Sequence, residues 1–253
     1  MNAGRPPFGA DLPPWPEVDF ASFGAVERVA LARMQKLGAG FLTRNWLSIP
    51  HVTHQDEADI TDLETMRAGT AATNPGPKIT ALAFIVKAAV GALRAHPRVN
   101  SSLDAAAGLL VLKKYFHIGI AIDTPAGLLV GVIRDCDVKG LPQIATEIAT
   151  LSQKARERGL SLVEMSGGCF TVSSLGGIGG TGFTPIINAP EVAILGVCKS
   201  QWKPTRGSHD AVAWRLMLPL SLSYDHRVLN GADAARFVRT LADALAAPAA
   251  LLT

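Results

Sequence analysis

Hydrophobic and polar positions along the chain alternate between a helical and a strand period, and the changes of period set out the elements. Val29, Leu31, Met34, Leu37, Phe41 and Leu42 recur at helical spacing and predict a first helix over residues 26–47. Residues 48–55 alternate and predict a strand. Residues 59–70 restart as a helix, with Asp59 or Thr61 as its cap, and the 73–77 segment breaks it. A strongly apolar helix is predicted over 79–93, with Thr80 able to cap it and Pro97 after its end. Strands are expected at 99–103, 109–113, 117–123 and 128–134, then a long amphipathic helix at 141–158. Short β-rich runs at 169–174 and 192–199 flank a glycine-rich connection, 176–182. The run 216–224 predicts a strand that leads into Asp225-His226-Arg227 and Gly231, and an Ala-rich helix over 232–245 follows. Helices and strands mix without strict alternation, so the pattern alone supports a mixed α/β single domain.

Composition narrows this picture. The 253 residues are 48% hydrophobic and only 18% charged, which favours more buried surface than usual and fits an oligomer. A net charge of +3 is too small to point to nucleic acid. Residues 1–19 are Pro- and Gly-bearing and read as a linker or arm, which leaves 20–253 as the folded domain. The chain opens with no apolar leader and holds no uninterrupted apolar run of about 18 residues, so a cytoplasmic protein outside the membrane is expected. Cys136, Cys169 and Cys198 are scattered, no metal-ligand spacing appears, and no metal is expected.

The candidate chemistry gathers at a strand end where the backbone bends. His226 is flanked by Asp225 and Arg227, which on a strand point away from it and read as a supporting ion pair. Ser173 and Ser174 are adjacent hydroxyls on one strand, so only one of them faces a given side. The 176–182 glycines lack the Lys-Ser/Thr of a phosphate loop. His51 and His54 lie three apart on a predicted strand and do not make a metal pair. Arg44, Lys113 and Lys114 are contacts for anionic groups on charge alone.

Asp225-His226-Arg227-Val228-Leu229-Asn230-Gly231 resembles the Asp-His-Arg-x-x-(Asp/Asn)-Gly signature of the 2-oxo acid dehydrogenase acyltransferases, the dihydrolipoamide acyltransferase (E2) components. The stretches 49–53, 123–130, 170–180 and 183–197 resemble further blocks of that family, in family order. The resemblance covers residues 20 to the C-terminus. It implies an α/β fold with a mixed sheet flanked by helices, like chloramphenicol acetyltransferase. It also implies trimers whose active sites lie between subunits, assembled into a larger core. The implied reaction moves an acyl group between a dihydrolipoyl thiol and coenzyme A. The lipoyl group comes from a separate domain or chain, and the E1 and E3 components are indirect partners.

In that reading His226 is the general base and Ser173 donates to the oxyanion, with Ser174 as its fallback. Asn230 supports the transition state or only the turn. Asp123 and Thr124 line the substrate channel, and Arg44 meets coenzyme A. Gly131 stands where relatives often carry Pro, which is expected to loosen the strand after Val130. The blocks at 18–20, 44–46 and 113–115 resemble the pyruvate-type members and favour acetyl as the acyl group. A structural core with little turnover, or an acetyltransferase with a small non-lipoyl acceptor, is the alternative.

Overall fold

The computed structural model describes residues 16–73, 78–207 and 210–252. Most of the expected arm, and the 74–77 part of the expected helix break, lie outside the described residues. The helices are α1 (Arg33–Ser48), α2 (Thr61–Thr73), α3 (Ala81–Ala95), α4 (Leu141–Arg158) and α5 (Gly231–Ala246). The strands are β1 (His51–Asp59), β2 (Ser101–Asp104), β3 (Leu109–Leu112), β4 (Ile118–Thr124), β5 (Gly127–Ile133), β6 (Phe170–Ser174), β7 (Ala193–Val197), β8 (Gln201–Arg206) and β9 (Val212–Asp225).

Seven strands form one mixed sheet in the order β1-β9-β7-β6-β4-β5, with β8 paired to the early part of β9. The β4–β6 and β6–β7 pairs are parallel and the others antiparallel. β2 and β3 make a separate hairpin.

The core lies between one face of this sheet and α3, α4 and α5. Phe170, Val172, Leu195 and Leu222 share that face and are fully buried. Phe170 meets Phe237 of α5 with ring centroids 5.5 Å apart. α5 buries Ala234, Phe237, Val238, Leu241, Ala242 and Leu245, the spacing of an amphipathic helix. The opposite face is more polar. The Thr53 and Ser223 hydroxyls pair across β1 and β9 at 2.8 Å. The segment after β6 covers this face, where the Phe183 ring fills the space a side chain at Gly196 would need.

Three expectations need correction. α1 begins at Arg33, not near 26, because the apolar positions before it belong to a non-helical arm. Val26, Val29 and Leu31 stay exposed, and Gln35 Oε1 accepts the Ala32 N–H at 2.8 Å to start the helix. β1 begins at His51, because α1 runs through Ser48 and Pro50 follows it. β8 was not foreseen. It is an edge strand carrying Pro204 between the polar residues Lys203 and Thr205, a pattern that reads as a loop.

Gly131 does not loosen β5. It pairs with Ile120, and Leu151 and Leu160 occupy the space over it, with Leu151 Cδ2 2.5 Å from where a Cβ would sit. The glycine lets α4 pack close to the sheet. Gly131→Val is expected to destabilise the protein by about 1–3 kcal/mol, the usual cost of overpacking. Chemical denaturation reads this as a lower midpoint with an unchanged slope.

Candidate active site

β9 is buried on both faces from Leu218 onward and delivers the turn that follows it to the sheet's end. The Val228 and Leu229 N–H groups donate to the Asp225 carbonyl at 2.9 and 3.0 Å and close the turn. The His226 N–H donates to the Pro50 carbonyl at 3.1 Å, and the Asp225 N–H to the Val192 carbonyl at 2.8 Å. Asp225 is buried and grips Arg227, with Nη2 to Oδ2 at 2.6 Å and Nε to Oδ1 at 2.9 Å. Its Oδ1 also accepts the Arg227 N–H at 3.0 Å. The guanidinium's own hydrogen bonds to the Asp225 carboxylate, and then the charge of that carboxylate, hold its pKa above its ordinary value. These two residues therefore fix the turn, as the sequence suggests.

His226 projects from the turn and is exposed. Its ring tilts against Tyr224 with centroids 5.7 Å apart. Among the described residues its two ring nitrogens have no hydrogen-bond partner, so the imidazole is free to take or give a proton. It lines an open cavity of about 480 Å³ with Arg98, Arg227, Asn230 and Asp233. Asn230 caps α5. Its Oδ1 accepts the Asp233 N–H at 2.9 Å, and Asp233 Oδ2 accepts the Asn230 N–H at 3.2 Å.

The serines lie elsewhere. Ser174 pairs with Val197 of β7, and Val197 with Leu220 of β9. His226 is six residues beyond Leu220, so at ~3.4 Å per residue it is roughly 20 Å from Ser174 along the sheet. Ser173 is half-buried and has no side-chain partner among the described residues, whereas Ser174 is exposed at the strand end. Its hydroxyl accepts the Gly176 N–H at 3.4 Å. One chain therefore does not bring either serine to His226.

Asp123, Thr124 and Arg44 are also outside the His226 cavity. Asp123 is exposed on β4, three strands away from β9, with β7 and β6 between them. Thr124 is buried and closes the β4–β5 turn, donating to the Gly127 carbonyl at 2.6 Å and accepting the Ala126 N–H at 3.3 Å. Arg44 lies on α1 and binds the Asn45 side chain at 2.9 Å, and Asn45 in turn donates to the Ile187 carbonyl. His51 is likewise engaged at both nitrogens, with Nδ1 to the Ile49 carbonyl at 2.8 Å and Nε2 accepting the Ile187 N–H at 3.0 Å.

Sequence reasoning missed Glu191, which is fully buried. Oε2 accepts from the Thr171 hydroxyl at 2.6 Å and Oε1 from Asn188 Nδ2 at 3.3 Å. Its signal in the sequence is a single acid opening an apolar run. Burial pushes its carboxyl up to about 7, against the pull of those bonds and of Lys113. Burial likewise lowers the Lys113 ammonium and raises the Cys169 thiol to about 11. The folded state thus holds the Glu191 proton more tightly than the open chain, whose ordinary value is 4.5. Stability is full below about pH 4.5 and is lost as pH rises toward about 7. Glu191→Gln is expected to remove that slope. Thermal unfolding at pH 5 and 7.5 checks it, and an equal wild-type-to-variant difference at both pH values would refute it.

The domain is a mixed sheet with three helices on one face and an exposed histidine on the turn after its longest strand. The fold is shared with chloramphenicol acetyltransferase, at a TM-score of 0.55 and 16% identity over 81% of this chain and 94% of that one. The chain belongs to the 2-oxoacid dehydrogenases acyltransferase (catalytic domain) family, which it matches over residues 23–253. It is 56% identical to the dihydrolipoyllysine-residue acetyltransferase component of the Pseudomonas aeruginosa pyruvate dehydrogenase complex, over 94% of this chain and 44% of that protein. The chain thus spans less than half the length of that curated relative.

Among solved structures, it matches the Azotobacter vinelandii dihydrolipoamide acetyltransferase at a TM-score of 0.92 and 52% identity, over 96% of this chain and 100% of that one. In that enzyme a serine, a histidine and an asparagine were investigated for their role in catalysis. The serine precedes the histidine by 52 residues and the asparagine follows it by four. The cubic core of a pyruvate dehydrogenase multienzyme complex matches at a TM-score of 0.91 and 52% identity, over the same shares of each chain.

Proposed function

We propose that this domain transfers an acetyl group between a dihydrolipoyl thiol and coenzyme A, as the core-forming part of a pyruvate dehydrogenase complex. The observation that carries the reading is the free imidazole of His226 on its braced turn, with Asn230 four residues later as in the Azotobacter enzyme. Counting back 52 residues from His226 reaches Ser174, not Ser173. Exposure favours Ser174 as well, so the fallback serine becomes the proposed oxyanion donor.

A thiol has an ordinary pKa of about 8.5 and is mostly protonated at neutral pH. His226 takes that proton as the sulfur attacks the thioester carbonyl. The tetrahedral oxyanion accepts the Ser174 hydroxyl. The imidazolium then returns the proton to the departing thiolate, which balances the exchange. Asn230 keeps Oδ1 on the α5 cap and has its amide N–H groups left for the site.

The separation of His226 from Ser174 within one chain requires a second copy to complete the site. Exposed apolar side chains supply surface for such contacts: Phe20, Phe23, Phe41 and Trp46 at the N-terminal end, and Trp202 and Trp214 on β8 and β9. Resemblance to the cubic core supports trimers within a larger particle. Lipoyl domains carry the acyl group in, and the E1 and E3 components are partners through them. Among the described residues no helix is long and apolar enough to cross a membrane.

The test is acetyl transfer from acetyl-coenzyme A to free dihydrolipoamide by the assembled protein, with sedimentation to establish its size. Transfer by a particle of several chains supports the reading. A folded, assembled particle that transfers nothing overturns it.

A further inference from the structure

The turn that carries His226 is held at its start by Asp225, Pro50 and Val192, as described above. Its far side meets the segment between α3 and β2. There Arg98 Nη2 donates to the Val228 carbonyl at 2.6 Å, a contact across 130 residues of sequence. Such a short bond from a charged donor is stronger than one between neutral groups.

The segment that presents Arg98 is itself fixed. The Ser101 hydroxyl, fully buried, donates to the Arg98 carbonyl at 2.6 Å. Asn100, also buried, donates from Nδ2 to the carbonyls of Lys113 and Tyr115 at 3.0 and 3.1 Å. The Asn100 N–H donates to the Pro97 carbonyl at 3.1 Å. The Arg98 backbone is thus set before its side chain reaches out, and little conformational freedom remains to be lost there.

Arg98 lines the same cavity as His226 and Asn230. The turn between those two residues has Val228 and Leu229 buried beneath it, so moving the Val228 carbonyl moves the histidine.

We propose that Arg98 is a positioning residue for the reaction, its guanidinium holding the His226 turn in register by its bond to the Val228 carbonyl. This rests on the acyl-transfer reading of His226. The bond helps fix where the imidazole stands relative to the thiol. Displacements of about 1 Å in such a site can cost ~10²-fold in rate.

Arg98→Met keeps the aliphatic stem and removes the donor. In the assembled protein it is expected to lower kcat by about 10–100-fold with KM within about threefold. Arg98→Lys restores a single donor to the carbonyl and is expected to recover most of the loss. A crystal structure of Arg98→Met is expected to show residues 226–230 displaced or in several conformations. Ser101→Ala leaves Arg98 in place but loosens its backbone, and serves if Arg98→Met does not assemble. It is expected to lower kcat by about 3–10-fold with KM unchanged.

The inference is overturned by an assembled Arg98→Met protein with normal kcat, or by a rise in KM alone, which would make Arg98 a substrate contact. If Arg98→Met fails to assemble, normal kcat in Ser101→Ala overturns it. An unmoved turn in the variant crystal overturns it whatever the activity. Absence of transfer by the wild-type protein would count against the acyl-transfer reading, and the crystal result still decides the Arg98 contact.

Discussion

Replacing His226 with alanine is expected to lower the rate of acetyl transfer by about 10²–10⁴-fold, the usual worth of a placed general base. The fold should survive. The imidazole is exposed and makes one ring contact, with Tyr224, while the turn is held by Asp225, Arg227 and the backbone bonds to Pro50 and Val192. Little apolar surface is lost with it, so the thermal midpoint should stay near that of wild type. The Michaelis constants should change little, since the ring's interaction with the moving proton belongs to the transition state. Steady-state kinetics on assembled particles, with both substrates varied, checks the prediction. Turnover near that of wild type would remove His226 as the base.

Much of this site could be read from the chain before its fold. α4 lies at the residues its apolar spacing predicts, because a long amphipathic helix against a sheet has one consistent face. The Asp225–Arg227 pair was legible because it sits at the bend after a strongly apolar strand. What escaped reading shares a physical cause. β8 is stabilised by pairing with β9, and its own residues, Gln201 to Arg206, carry two cations and a proline with little apolar content. Glu191 has meaning only through Thr171, twenty residues earlier in sequence. Arg98 has meaning only through Val228. The choice between Ser173 and Ser174 also lay beyond the local pattern. Alternation states that the two face opposite ways but not which side the substrate occupies. The motif that marks Thr124 as a channel residue does not show that its hydroxyl also closes the β4–β5 hairpin. α1 begins late because the exposed apolar residues Val26, Val29 and Leu31 show the same spacing as residues that pack on one face of a helix.

Ser174→Ala is expected to lower transfer by about 10²–10³-fold with KM little changed, the typical cost of one oxyanion donor. Ser173→Ala should have a much smaller effect, because its half-buried hydroxyl is on the opposite face of the strand end. The reverse outcome would restore Ser173 to the role. The distance of roughly 20 Å between Ser174 and His226 along the sheet adds a sharper test. If each site takes its histidine from one copy and its serine from the next, two inactive variants complement each other. In trimers formed randomly from equal amounts of His226→Ala and Ser174→Ala chains, about a quarter of the sites unite an intact histidine with an intact serine. Such mixed particles should regain about a quarter of wild-type activity, far above either variant alone. If both residues served a site within one chain, every site would carry one defect and mixing would restore nothing. Co-expression of the two variants, with separately assembled variants mixed afterwards as the control, distinguishes the cases. Activity that appears only when the chains assemble together places the reaction between copies.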